Sequence, residues 1–415
     1  MRWSGGALRA AIMGVVAVFV IVFATGCGGA NQSGAGAVLW QFPTASLGVG
    51  AKAVSQDVAV VTDDEALVGV AADTGNELWR QDGAFDDVVV AGGQIYAACC
   101  ERDGSSIVAI DGQSGTVLWR AEGPDAKGFG AVTLGAAAPT QNVLVVSSNE
   151  GDVVGLDLTS GKQRWITAAD VFGVPVVSNN IAVVPGTGKA VGVDITTGKV
   201  AWSLPTAAAL EFSTPVVQGE NFAFTSSLSD PVGASEGESV PTQVIAVDSQ
   251  TGKKAWEYQT DAVELTAPVL AGDLVVAAVA KSFSGSTAGV LAFDGRSDEP
   301  TWVASDVGRR VQQLAGSSGG VYVASGGSAA VVALAVGDGS QQWTYDFGEV
   351  DVDKLAATDN AVWAVGNADT LVGLAQGSGA VEASYRANAA IVTLDVNPDS
   401  IFVGTYGEGL VALSG

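Results

Sequence analysis

From residue 38 onward, apolar and polar residues alternate in short runs, and nearly every run ends in a cluster of Gly, Asp, Asn or Ser. Alternation with period 2, bounded by turn residues, predicts half-buried β-strands. No stretch past residue 40 sustains the spacing of an amphipathic helix. Residues 107–119, IVAIDGQSGTVLW, display the unit: a strand, an Asp, a turn, a Gly, and a Trp four residues after that Gly. The pattern Asp-x-x-Ser/Thr-Gly-x-x-x-Trp at 111–119 returns intact at 157–165, 194–202 and 248–256. Degraded copies end at Trp79, Trp302 and Trp343. Ala71, Ala335 and Ala375 stand in place of the Asp, Asp298 in place of the Gly, and Ala383 in place of the Trp.

Trp40, Trp79, Trp119, Trp165, Trp202, Trp256, Trp302 and Trp343 are 37 to 54 residues apart. That period with strand content signals a propeller or solenoid. Each unit reads as four strands; in the second they fall at 88–90, 94–98, 107–110 and 116–120. The repeat chemistry is mechanical. Asp111, Asp157, Asp194, Asp248 and Asp294 can accept backbone N–H groups in the turn that follows. Gly supplies the positive φ of a tight turn, and Trp buries a large flat side chain between sheets. The chain ends in a third strand, LVALSG at 410–415, and its first strand, VLWQF at 38–42, is a fourth strand with no predecessor. Their pairing would close the ring and remove exposed edges. The fold expected is thus all-β, a single closed propeller of four-stranded blades. Third strands count nine, ending near Val70, Ile110, Leu156, Val193, Val247, Phe293, Leu334, Leu374 and Leu413. Residues 226–242 and 281–289 read as projecting loops.

Charge and composition then exclude function classes. The net charge is −25; removing residues 1–26, which hold Arg2, Arg9 and no acid, leaves 17 basic against 44 acidic residues, or −27. So acidic a surface repels nucleic acid, disfavours anionic lipid, and suits solubility or a basic protein partner. There is no His, which removes the commonest general base and metal ligand. Three Cys cannot build a Cys₄ zinc site. Arg2 and Arg9 precede an apolar core at 10–23, too short for a comfortable span, followed by Ala24-Thr25-Gly26-Cys27. This order predicts a secretory signal at 1–26. Ala-Thr-Gly-Cys resembles the lipobox of bacterial lipoproteins, which implies cleavage after Gly26 and lipidation of Cys27. Residues 27–37 then read as a flexible tether, with the propeller at 38–415.

Repeats ending in Ala/Gly-h-Asp-x-x-Thr/Ser-Gly-x-x-x-Trp, where h is apolar, resemble the PQQ-like β-propeller superfamily, whose members include quinoprotein alcohol dehydrogenases and BamB-like envelope lipoproteins. The resemblance covers residues 38–415 and implies eight blades, against the nine counted from strands. It also raises a cofactor reading, because quinoprotein alcohol dehydrogenases place a vicinal disulfide against the PQQ ring and add a calcium site and a catalytic Asp. Cys99 and Cys100 are adjacent and can form a vicinal disulfide, but they sit at the end of a second strand, and no ligand set maps onto this chain. A structural role is therefore expected for the pair. Asp63-Asp64-Glu65, Asp86-Asp87 and Asp351/Asp353 lack calcium-loop spacing and read as solvated strand ends. Gly-x-Ser-x-Gly occurs at 233–237 and 316–320, but without His or a strand-to-helix elbow it is no hydrolase motif. Arg309-Arg310 precedes an inner strand and reads as a surface pair or a channel anion site.

The expectation is a lipid-anchored, extracytoplasmic, non-catalytic scaffold for envelope proteins on the outer face of the cytoplasmic membrane, without cofactor or metal. The alternatives are a dehydrogenase carrying PQQ and calcium, and a sensor binding a small ligand or polysaccharide in the channel.

Overall fold

Every predicted strand run forms a strand, and the Gly/Asp-rich punctuation forms the turns between them. In the computed structural model, residues 36–415 are described except 45–49, 54, 56, 63–64, 100–105, 123–131, 187, 207–213, 227–241, 261–263, 281–287, 309, 327–328, 349–350 and 398–399. Cys27, the tether through residue 35, Cys100, Asp63, Asp64, Arg309, the motif at 233–237 and most of the two projecting loops thus lie outside the described residues.

The described strands form nine sheets, with chain neighbours pairing antiparallel. Eight of these blades occupy residues 50–82, 85–121, 132–168, 176–205, 216–260, 264–304, 310–346 and 352–386, and are numbered 1 to 8 in that order. Blade 9 takes Ile391–Val396, Ser400–Thr405 and Gly409–Ser414 from the C-terminus and Val38–Phe42 from the N-terminus. Nine is therefore the blade number, as the third strands indicated and not the eight usual for the family. In blade 2 the strands are Phe85–Ala91, Gln94–Cys99, Ser106–Asp111 and Val117–Ala121, each within a few residues of the pattern-based reading. Blade 6 departs from the rest: Glu264–Leu265 and Val269–Ala271 both pair with Leu274–Ala280. Pro268, which has no N–H to give to a ladder, lies in the interruption.

Nine buried clusters hold the sheets face to face. Each joins one blade to the next, and one joins Phe402, Leu410 and Ala412 of blade 9 to Ala59, Val61 and Val68 of blade 1. The terminal pairing is direct, with Trp40 opposite Ala412 and Phe42 opposite Leu410. It also begins earlier than composition suggests. Gly36 N–H donates to Ser414 O at 2.8 Å, and Ser414 N–H donates to Ala37 O at 2.9 Å. Gly36 and Ala37, placed in the tether by their neighbours' composition, are hydrogen-bonded to the third strand of the ninth sheet. Gly36 lies four residues before Trp40, so the Gly-x-x-x-Trp of the ninth repeat is present, split from its third strand by the chain ends.

Candidate functional site

The residues singled out by the repeat converge on the seams between blades. All eight repeat Trp side chains are buried. Each lies opposite a small residue of the third strand: Gly69 faces Trp79, Ala109 faces Trp119, Gly155 faces Trp165, and so on around the ring. In eight blades the register slips one residue before this position. Such a bulge re-aims the following side chain, and here it turns the Trp toward the next blade. Seven indoles then donate from Nε1, at 2.6 to 2.9 Å, to a carbonyl in the next blade's turn: Ala72, Gly112, Leu158, Ile195, Ser249, Val336 and Gln376.

The turn glycine is the other half of this joint. Gly75, Gly115, Gly161, Gly198, Gly252, Gly339 and Gly379 have φ between 64° and 72°, and a Cβ on any of them would fall within 2.6 Å of the preceding blade's indole. The joint changes in the two repeats that lack its Gly or its Trp. Blade 6 has Asp298 in place of the Gly that would meet Trp256 of blade 5; Trp256 Nε1 is buried with no hydrogen-bond partner among the described residues, and its ring stacks on Phe293 at 4.8 Å, whereas Trp302 of blade 6, which has no register slip before it, still donates to Val336 O. Where Ala383 replaces the Trp, the Ala383 methyl meets Gly36, and Trp363 from the second strand packs over Gly373 into the vacated space.

The repeat Asp side chains fold the turns. Asp111 Oδ1 accepts from Ser114 N and Oγ, both at 2.8 Å. Asp157, Asp194 and Asp248 hold the equivalent Ser or Thr in the same way, and Asp294 accepts from Arg296 N. Side-chain hydrogen bonds from Ser114, Ser160 and Thr251 pull the Asp111, Asp157 and Asp248 carboxyls below the ordinary value. At Asp194, desolvation opposes the shift, but the bonds from Thr197 and Thr196 still lower it. Blades 1, 7 and 8 carry Ala here and keep the backbone turn, with Gly75, Gly339 and Gly379 donating to the carbonyls of Ala71, Ala335 and Ala375. The Gly is the necessary element and the Asp an accessory one.

The residues with chemical potential are dispersed. Cys99 is buried and disulfide-bonded. Its sulfur lies 3.3 Å from Ser106 Oγ and 3.2 Å from Arg120 Nη1, on the third and fourth strands of its own blade. Gly316 to Gly320 close a hairpin in which Ser317 N–H donates to Gly320 O. Asp87, grouped by sequence with solvated strand ends, is instead a bridge: its Oδ2 accepts Leu134 N–H from blade 3 at 2.8 Å. Asp353 likewise accepts from Ala368 N. Two inner-strand groups carry no sequence signal. Lys52 Nζ donates to Val88 O of blade 2 at 2.8 Å. Burial pushes the Asp395 carboxyl of blade 9 up, against the opposing pull of Lys52 and of Asn397, which donates to it at 3.3 Å. Among the described residues, no three His, Cys, Asp or Glu are gathered as metal ligands.

A family model described as outer membrane protein assembly factor BamB matches residues 29–170 and 167–288. No curated protein sequence matches the chain significantly. Among solved structures, BamB from Moraxella catarrhalis is 13% identical with a TM-score of 0.53, covering 89% of this chain and 99% of its own. The computationally designed Ika8 protein is 14% identical with a TM-score of 0.57, over 92% of this chain and 100% of its own. Quinohemoprotein alcohol dehydrogenase from Comamonas testosteroni is 13% identical with a TM-score of 0.52, over 79% of this chain and 74% of its own. At such identities the structures share the fold, whereas the matched family model spans more than half of the sequence. The chain belongs to the BamB-type family of PQQ-like β-propellers.

Proposed function

We propose that this protein is a non-catalytic scaffold, held at the outer face of the cytoplasmic membrane by lipid on Cys27 and docking envelope proteins on its loop-bearing surfaces. The observation that carries the reading is how the conspicuous residues are used. Repeat Trp, Gly and Asp join blades or fold turns, Asp87 and Lys52 bridge seams, and Cys99 is held by Ser106 and Arg120. A rigid ring whose reactive side chains are taken up in its own architecture offers surface rather than chemistry. The family description, an outer-membrane assembly factor, fits an envelope location, although fold alone does not fix function. The excess of acidic over basic residues makes that surface anionic and favours a basic partner.

The rival reading is a dehydrogenase using PQQ and calcium. Incubating the full chain with both, then assaying alcohol-dependent dye reduction and quinone absorbance after gel filtration, separates the two. The scaffold reading expects no retained chromophore and no turnover; a stoichiometric quinone with activity overturns it. Anchoring is tested by the mass of the mature N-terminus and by Cys27→Ser, which should move the protein from the membrane to the soluble fraction.

A further inference from the structure

Four of the nine seams carry a glutamine bridge at the edge of the turn face. Gln113 of blade 2 donates to Ser55 of blade 1. Gln141 of blade 3 reaches Asn179 O of blade 4. Gln218 of blade 5 reaches Asp273 O of blade 6, and Gln376 of blade 8 donates to Ser317 of blade 7. The seam between blades 2 and 3 has no such bridge among the described residues. Its hairpin is Gly92-Gly93, and no atom lies within 4 Å of where either Cβ would be. A cleft of about 430 Å³ lies beside it, within the range of ligand sites.

The cleft's chemistry is specific. Its walls are Ala91, Leu118, Pro139 and Leu158, and no charged side chain lines it. Leu118 occupies the bulge position and is 44% exposed. The same position holds Leu39 and Leu78 in blades 9 and 1, at 44% and 51% exposure, but Arg164, Ala201, Ala255, Gln342 and Glu382 in five others. Three consecutive blades thus present leucine along one arc of the rim, ending at the cleft. The polar edge is pre-set. Tyr96 OH donates to Gln94 Oε1 at 2.6 Å, leaving the Gln94 NH₂ to donate outward. Asn142 is fixed by donating to Asp157 and accepting from Thr159. The one aromatic lining residue, Tyr96, is buried at 2% exposure, so no ring face is offered for stacking a sugar.

We propose that this cleft is the anchor pocket of a protein-docking surface. It takes an uncharged aliphatic or aromatic side chain of a partner polypeptide, with Gln94 donating to the partner's backbone carbonyl and the leucine arc extending the contact. This deepens the scaffold reading and rests on it for the identity of the occupant.

The test uses capped amino acids as probes on the full chain in detergent, with saturation-transfer NMR and calorimetric titration. N-acetyl-leucinamide and N-acetyl-phenylalaninamide should bind saturably. N-acetyl-aspartamide, N-acetyl-lysinamide and N-acetylglucosamine should bind at least tenfold more weakly. Leu118→Asp, and separately Gly92→Asn, which refills the seam with a residue that tolerates positive φ, should each weaken the leucine probe at least tenfold. Val303→Asp, an equally exposed site on blade 6, should leave it unchanged. The proposal is overturned if the apolar probes do not bind, if Leu118→Asp leaves their binding intact, or if the sugar or a charged probe binds as well. Probe binding with no envelope partner would leave the pocket standing and sink the scaffold reading.

Discussion

The joint between a Trp and the next blade's turn glycine can be isolated with two glycine-to-alanine substitutions. Gly161 and Gly219 both have positive φ, 67° and 61°. Alanine at either site adopts the left-handed region at a cost of about 1–2 kcal/mol. At Gly219 nothing lies within 4 Å of the new methyl, whereas at Gly161 it falls onto the Trp119 ring. Overpacking of that kind adds about 1–3 kcal/mol. If the indole shifts, the 2.8 Å bond from Trp119 Nε1 to Leu158 O is lost as well, at about 0.5–1.5 kcal/mol. Gly161→Ala is therefore expected to cost about 2–6 kcal/mol and Gly219→Ala about 1–2 kcal/mol. Chemical denaturation is the better assay. Over 415 residues, an unfolding entropy of about 2 cal/mol/K per residue makes 1 kcal/mol worth only about 1 °C in Tm. Urea titrations followed by Trp fluorescence and circular dichroism should show a clearly lower midpoint for Gly161→Ala at unchanged slope. Equal midpoints for the two variants would refute the claim that this glycine is selected by the indole rather than by φ alone.

Three further outcomes follow from the same geometry. Trp202→Phe removes the bond to Ser249 O and should cost about 1 kcal/mol more than Trp256→Phe, whose Nε1 has no partner to lose; matched urea midpoints decide it. Folded-state carboxyl pKa values are lowered at Asp111, Asp157, Asp194 and Asp248, so their contribution is present above the unfolded value of about 3.9 and lost as pH falls through the lower folded values. The fourfold Asp→Asn variant should therefore lose stability mainly above pH 4 and converge on the parent in acid, read as Tm against pH. Deleting residues 1–35 should leave the Tm of the propeller unchanged, whereas deletion through Phe42 removes the outer strand of blade 9 and should lower it sharply, as differential scanning calorimetry would show.

The blades were legible because each repeat residue performs a local task. Asp111 folds its own turn, Gly115 sets a φ, and Trp119 crosses its own third strand, all within one unit of sequence. Ala71 and Ala383 could be marked as departures because the spacing around them survives. What sequence hid lies across seams. Gly36 reads as tether because its partners, Ser414 and Ala383, sit at the far end of the chain. Asp87 reads as a solvated strand end and Lys52 carries no signal, because the backbone groups they bind, at Leu134 and Val88, belong to the next blade. The cleft at Gly92-Gly93 is invisible for a related reason: a two-glycine hairpin is ordinary turn chemistry, and the cleft beside it is lined from two blades. The leucines at 39, 78 and 118 share a repeat position, a signal that aligning the bulges would have exposed.

The central claim, a docking scaffold with an anionic face, is tested most directly by crosslinking the native protein in membranes and capturing it at low and high salt, with mass spectrometry of what is retained. The account predicts a reproducible basic envelope partner that is crosslinked at low salt and lost when high salt precedes crosslinking, since exposed charges are screened beyond about 10 Å at 0.1 M salt. Capture of no partner at either salt, together with a co-purifying quinone or saccharide, would contradict it.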